Sequence, residues 1–162
     1  MKTDRKVMVV LLLFIGVMGA AWAIGPIVFA GRDDPTAIDN KVVHRAVEAG
    51  CTQLRSDLAA LPRDLGVAER AEAENRAVDQ FVGRVRAVGP EALAKDVPVE
   101  QWLGDWEHLV ATRRQAVRDG QRFAPPVIDG APVNIRMFSL VRSGLRQCDV
   151  PAALLAAEPG QL

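Results

Sequence analysis

The sequence predicts an all-α protein, with one N-terminal transmembrane helix followed by a small antiparallel bundle of about four helices closed by one disulfide. Three observations lead to this prediction. Residues 7–30 contain no charge and are almost entirely apolar, and beyond them apolar residues recur at three- and four-residue steps. The chain has two cysteines, Cys51 and Cys148. It has no tyrosine and no alternating run of the kind that indicates strands.

The apolar stretch is long enough to cross a membrane. Its 24 residues exceed the roughly 20 that span a bilayer core and the roughly 7–15 of a signal-peptide core. A cleaved signal peptide is the alternative, because residues 21–23 and 28–30 loosely fit a small-x-small cleavage site. The basic tail, residues 1–6, is expected to stay in the cytoplasm. Both interpretations place the rest of the chain outside the cytoplasm.

Small residues recur along the predicted transmembrane helix. Gly16 and Ala20 are four residues apart, and so are Gly19 and Ala23. Such pairs let a second helix approach closely, so they are possible contacts for a partner helix. The alternative is that glycine and alanine are simply common in membrane helices.

The chain beyond the apolar stretch is predicted to form one small domain. Residues 31–39 are interpreted as a stalk, residues 40–151 as the bundle, and residues 152–162 as a flexible tail unless Leu154 and Leu155 dock. The part after the stretch carries 17 Lys and Arg against 19 Asp and Glu. This mild charge provides no electrostatic footprint for nucleic acid.

The predicted helices are bounded by prolines and glycines. They cover residues 40–61, 67–88, 98–120 and 134–147, with a weak short helix at 91–95. The fourth helix is expected to direct five residues inward: Ile135, Phe138, Val141, Leu145 and Cys148. Prolines in residues 121–133 predict an irregular loop. That loop is either a recognition element or a packed crossover.

Cys51 and Cys148 are predicted to form a disulfide, because paired cysteines in an exported domain are usually oxidised. The bond would tie the first helix to the last. Chain-entropy models allow such a long loop closure to stabilise by about 4 kcal/mol. The alternative is two free, buried thiols.

Residue patterns suited to chemistry are scarce. His44 has Glu48 four residues on, and His108 follows Asp105 by three. Each pair could supply two metal ligands, whereas stable sites usually need three or four. There is no Gly-x-Ser-x-Gly elbow, Gly-rich phosphate loop or CxxCH haem motif. We therefore expect no catalytic residue, metal or cofactor, and we do not expect an enzyme.

Trp102 and Trp106 are the most distinctive pair in the exported part. Four residues apart, they share one helical face and can bury a large apolar area. Core packing is the favoured interpretation. An aromatic docking surface or a ligand slot is the alternative.

The layout resembles a loose class of small actinobacterial membrane-anchored or exported helical proteins of unknown function. The resemblance rests on the apolar stretch, Cys51 in the first helix, Trp102-x-x-x-Trp106, Phe123-x-Pro125, and Cys148 before Pro151. It covers most of the exported part. It implies no activity and carries over no site residues.

These observations predict a single-pass plasma-membrane protein with its N-terminus in the cytoplasm and its C-terminal domain outside. The domain is expected to be an interaction module, an accessory or structural subunit of a bacterial membrane or cell-envelope complex. Its expected partners are the lipid bilayer and membrane proteins, not nucleic acid. The alternative is an exported bundle that binds a small hydrophobic ligand or cofactor in a cavity of several hundred Å³.

Overall fold

The computed structural model describes residue 38, residues 40–141 and residues 145–156. The predicted transmembrane helix, its small residues Gly16, Gly19, Ala20 and Ala23, and most of the predicted stalk lie outside this part of the chain. Within it, no helix is both long and apolar enough to cross a membrane.

The described residues are mostly helical, as predicted. The long helices are α1 (Lys41–Ala59), α2 (Val67–Arg86) and α4 (Val97–Arg118). The short elements are α3 (Pro90–Leu93), β1 (Val127–Ile128), β2 (Ala131–Pro132), α5 (Val133–Leu140), a 3₁₀ helix (Arg146–Cys148) and α6 (Ala152–Leu155).

Local capping signals explain where the long helices begin. The side chain of Asn40 accepts hydrogen bonds from the first backbone N–H groups of α1. At α2, the carboxylate of Glu69 accepts from the backbone N–H of Gly66 at 3.2 Å, which also places a negative charge at the helix N-terminus. Pro98 lies in the first turn of α4, where its missing N–H costs nothing.

The three long helices pack side by side around one core, and neighbours run antiparallel. Arg86 at the end of α2 contacts Glu100 near the start of α4 at 3.0 Å, while Arg114 near the end of α4 contacts Asp79 in the middle of α2. The core residues from these helices are almost fully buried: Val43, Val47, Leu54, Val78, Phe81, Val85, Trp102, Trp106 and Leu109.

A small hairpin in the Pro-rich loop was not predicted. Val127 pairs with Pro132 and Ile128 with Ala131. The turn residues Asp129 and Gly130 both have positive φ, 51° and 79°, which is the geometry of a type I′ turn. The Asp-Gly dipeptide is the signal that could have revealed the hairpin.

The fourth predicted helix is wrong in extent. Instead of one helix over residues 134–147, the chain forms α5 (Val133–Leu140) and, after residues 142–144, the 3₁₀ helix (Arg146–Cys148). The helix begins directly after Pro132 and ends after two turns. The predicted helical repeat from Ile135 to Cys148 is therefore not formed by one continuous helix.

The predicted inward face of that helix is also partly wrong. Ile135 and Phe138 are 57% and 58% exposed, while Val133 and Met137 are buried. The buried positions of α5 continue to Val141 with a spacing of four residues. The helix is thus rotated relative to the predicted orientation, although Val141, Leu145 and Cys148 are buried as expected.

The disulfide between Cys51 and Cys148 is confirmed, with Cα atoms 5.1 Å apart. It joins α1 to the 3₁₀ helix rather than to a fourth α-helix. The same contact includes a hydrogen bond of 2.7 Å from the Arg55 guanidinium to the backbone carbonyl of Gln147. Covalent and polar contacts therefore hold the same segment against α1.

The packed core extends beyond residues 40–151 at both ends. Ile38 is buried, and its backbone N–H donates to the carbonyl of Leu140 at 3.1 Å. Leu154 of α6 is fully buried, so part of the predicted flexible tail docks on the bundle.

Replacing Gly50 by alanine should destabilise the bundle. The added Cβ atom would lie 2.9 Å from Cε2 of Phe81, and overpacking of this kind costs about 1–3 kcal/mol. Gly83 in α2 is the matched control, because a Cβ atom there meets nothing within 4 Å. Alanine gains a similar helix propensity at both positions.

In chemical denaturation, the free energy of unfolding of Gly50→Ala should therefore lie about 1–3 kcal/mol below that of Gly83→Ala. Equal stabilities of the two variants would contradict the close approach of α1 to Phe81.

Candidate functional site

The tryptophan pair lies in the core and not on the surface. Trp102 and Trp106 are fully buried. Each ring packs edge to face against Phe81, with centroids 5.6 and 5.4 Å apart. Three surface hollows, of about 230, 330 and 560 Å³, are lined by other residues. The arrangement is that of the favoured core interpretation.

Arg113 forms a buried polar cluster that links three parts of the chain. Its guanidinium contacts the carboxylate of Glu74 at 2.5 Å and donates to Oδ1 of Asn75 at 3.0 Å, both on α2. It also donates to the backbone carbonyl of Leu154 in α6 at 2.6 Å. The ring of Phe123 lies 5.4 Å from the guanidinium carbon, within cation–π range.

Burial dominates the electrostatics of this cluster. It raises the pKa of Glu74, although the charge and hydrogen bond of Arg113 act in the opposite direction. Burial likewise lowers the pKa of Arg113. A raised carboxyl pKa is a feature of many catalytic acids. Glu74, however, is 2% exposed and lines none of the three hollows described above, so the cluster has the properties of a structural contact.

A second polar cluster determines how α5 lies on α4. The guanidinium of Arg136 donates to both carboxylate oxygens of Asp105, at 2.8 and 3.1 Å, and to Asp129 in the hairpin turn. Burial raises the pKa of Asp105, and Arg136 opposes that shift. With Arg136 directed at α4, Ile135 and Phe138 are left on the outer side of α5.

The outward residues of α5 form the candidate functional site. Ile135, Phe138 and Val150, here called the α5 patch, line a hollow of about 230 Å³ together with Asn134 and Asp149. An apolar floor with polar neighbours is typical of protein-binding surfaces. This patch was not predicted, because the sequence pattern placed Ile135 and Phe138 in the core. Val133, Met137 and Val141 also recur at four-residue steps, so the sequence contains two competing inward faces and periodicity does not choose between them.

The candidate metal ligands lie on separate elements. His44 and Glu48 are on α1, and His108 is exposed on α4. Asp105 is bound to Arg136. Across the described ranges, no three His, Cys, Asp or Glu side chains are grouped as a metal site would require.

The Pro-rich loop packs against the bundle at its start. Phe123 is buried beside Arg113, which is the behaviour of a packed crossover. Val127 is largely exposed in the hairpin. The loop is therefore a packed crossover at Phe123, and its hairpin presents one apolar side chain to solvent.

No family model, curated protein or solved structure matches this chain. The α5 patch is therefore characterised by its own exposure, chemistry and position in the fold.

Replacing Trp102 or Trp106 by alanine should lower the free energy of unfolding by about 3–5 kcal/mol, because a large core side chain would leave a cavity. Val97→Ala on the same helix is the control. Val97 is exposed, so its truncation should change stability by less than about 0.5 kcal/mol. An unchanged melting temperature in both tryptophan variants, with loss of an association, would instead identify a docking surface.

Glu74 should make the bundle less stable as the pH rises. Because its folded pKa is raised above the ordinary value of 4.5, the folded state retains the proton to higher pH than the unfolded state. The contribution of Glu74 to the free energy of unfolding is fully present below pH 4.5. It is lost as the pH rises through the folded pKa.

The Glu74→Gln variant isolates this effect because glutamine does not ionise. Denaturation of both proteins from acidic to neutral pH should show the stability of the variant improving relative to the wild type as the pH rises. A difference that is constant with pH would contradict the raised pKa. Asp105→Asn is the comparison at the second buried carboxyl, and its relative stability should change in the same direction.

Proposed function

We propose that this protein is a single-pass membrane-anchored interaction module. Residues 7–30 anchor it in the plasma membrane, residues 1–6 remain in the cytoplasm, and the bundle lies outside. There the α5 patch binds a membrane or cell-envelope protein, and the chain acts as an accessory or structural subunit. The observation that carries the proposal is an exposed Ile135–Phe138 pair on a bundle whose core is filled.

The disulfide supports a location outside the cytoplasm. Cys51 and Cys148 are bonded, and such bonds persist mainly in oxidising compartments. The basic tail before residues 7–30 supports the orientation. No lipid or partner is needed to explain the fold, so the membrane assignment rests on the sequence.

The α5 patch has the chemistry of a small protein-binding surface. Ile135 and Phe138 are 57% and 58% exposed, so covering what remains in water would contribute about 1–2 kcal/mol each, somewhat over half the value for full burial. Asn134 and Asp149 beside them offer hydrogen bonds at the rim. A patch of this size binds weakly alone. Anchoring in the same membrane as the partner would raise the effective concentration and strengthen the association.

The alternative, a bundle that binds a small hydrophobic ligand, has less support. The tryptophans proposed to line a slot pack against Phe81. The largest hollow described, about 560 Å³, is lined by alanine, glycine, glutamine and arginine side chains on α1 and α2. Ligand pockets are mostly lined by larger apolar and aromatic groups.

We propose no catalytic role for the described residues. The carboxyl groups of Glu74 and Asp105 have raised pKa values, yet each is bound to an arginine on a neighbouring helix. A general acid must reach its substrate, and these groups face protein. The proposal therefore assigns them to folding and assigns function to the surface.

The double variant Ile135→Ser/Phe138→Ser should lose a co-purifying membrane protein while the bundle stays folded. Partners would be isolated in mild detergent from cells that produce the full chain and identified by mass spectrometry. Val67→Ser is the matched control, because Val67 is 60% exposed on a different helix. Its partners should be those of the wild type.

Both variants should keep a free energy of unfolding within about 1 kcal/mol of the wild type, since exposed substitutions change stability little. In the same assay, Gly16→Leu/Gly19→Leu tests whether the anchor contributes to the association. Unchanged partners in the Ile135→Ser/Phe138→Ser variant would contradict the α5 patch. Full function from a released domain without its anchor would contradict tethering.

A further inference from the structure

The starts of α1 and α4 lie side by side. The backbone N–H of Asn40, which precedes α1, donates to Oδ2 of Asp96, which precedes α4, at 2.9 Å. Asn40 is followed by Lys41 and Val42. Asp96 is flanked by Lys95 and Val97. We call Lys41, Val42, Lys95 and Val97 the basal end of the bundle.

The basal end is apolar and basic at once. Val97 is 75% exposed and Val42 is 58% exposed, and both lysines are exposed. Lysine is rare in this chain: the others are Lys2 and Lys6, in the basic tail. Neither Lys41 nor Lys95 has a carboxylate partner within the described ranges.

This combination fits an anionic lipid surface. Lysine side chains near a membrane are attracted to acidic headgroups, and their apolar stems can lie along the interface while the ammonium groups stay in water. Exposed valines beside them can enter the boundary between headgroups and acyl chains. Asp96, the acidic residue between the two sets, is buried and accepts the bond from Asn40.

Chain length restricts which end of the bundle can reach the lipid. Ile38 is buried in the bundle and follows residue 30, the end of the apolar stretch, by eight residues. A fully extended chain of that length spans at most about 28 Å. About 5–7 Å of that length is needed to cross the headgroup layer on the outer side of the bilayer.

The far end of the bundle is a helix length away. The 19 residues of α1 extend over roughly 28 Å, so Val67, which follows the end of α1, is remote from the basal end. If residues 7–30 span the bilayer, the connection is too short for the bundle to stand on its far end, whereas the basal end can reach the lipid surface.

We infer that the basal end of the bundle binds the lipid surface, with Lys41 and Lys95 on anionic headgroups and Val42 and Val97 at the interface. This inference rests on the proposed membrane anchor. It adds that the domain does not move freely on its tether but is oriented against the bilayer.

The test uses the full-length protein in vesicles of phosphatidylcholine and phosphatidylglycerol that contain lipid brominated high on the acyl chains. Bromine quenches tryptophan fluorescence only on close approach. The Val97→Trp variant should lose the fluorescence that the new indole adds to the wild-type signal. Val67→Trp is the matched control, since Val67 and Val97 are both exposed first residues of long helices. Its added fluorescence should persist.

Reversing the charge of both lysines tests their role. In the Val97→Trp background, Lys41→Glu/Lys95→Glu should reduce quenching in vesicles that contain phosphatidylglycerol. In vesicles of phosphatidylcholine alone, Val97→Trp should be quenched equally with and without the charge reversal. Quenching that is insensitive to the charge reversal would overturn the assignment of the lysines to anionic headgroups.

Alkaline carbonate extraction separates the inference from the proposed anchor. Protein that stays in the vesicles while Val97→Trp is quenched no more than Val67→Trp would overturn the inference and leave the anchor standing. Such a result would make the basal end available to a protein instead of lipid. Protein released by carbonate would overturn the anchor and the inference together.

Discussion

The ring of Phe81 is the point at which the three long helices meet, and it fits there because residue 50 has no side chain. One edge of the ring approaches Gly50 of α1, where even a Cβ atom would lie 2.9 Å away. The ring also meets Trp102 and Trp106 of α4. Close packing transmits displacement, so a larger residue at position 50 would move α1 as a whole. Cys51 is the next residue, and the disulfide would move with it.

The C-terminal part of the chain is held by contacts of a different kind. In the middle of α1 the disulfide holds Cys148, and near the end of α4 Arg113 binds the carbonyl of Leu154. A buried ion pair such as Arg113–Glu74 seldom adds net stability, because desolvation offsets its attraction. A buried guanidinium does, however, need a hydrogen-bond acceptor for its N–H groups, and the carbonyl of Leu154 is one of those acceptors. We infer that its role is to specify where α6 docks.

Sequence periodicity predicted α1, α2 and α4 within a few residues because their signals are local. Each has many turns of apolar repeat, and prolines or caps lie at the ends. The disulfide followed from there being two cysteines in a domain expected outside the cytoplasm. The orientation of α5 could not be predicted in this way. Eight residues contain too few repeats, and the deciding contact, Arg136 with Asp105, joins residues far apart in sequence.

The buried polar cluster around Arg113 was not predicted for the same reason, because its contacts also join residues far apart in sequence. The first half of α2 is rich in charge and alanine, and its periodicity does not indicate that Glu74 and Asn75 are buried. Their burial depends on Arg113, which lies 38 residues beyond Asn75 and occupies the inward stripe of α4. A charged residue within an apolar stripe indicates that a partner is needed, but it does not say on which helix the partner lies.

The positions of the α5 patch and the basal end can be compared along the bundle. The hydrogen bond from Ile38 to Leu140 brings the end of α5 next to the point where the chain enters the bundle. The hollow of the α5 patch also includes Asp149, whose carbonyl accepts from Arg55 near the far end of α1. The patch therefore lies along the side of the bundle, between the basal end and the end that carries Val67. If the basal end binds lipid as inferred, the α5 patch lies within one helix length of the bilayer, roughly 28 Å. A partner anchored in the same membrane can reach the patch with a domain of that height, and shared anchoring would raise its effective concentration there.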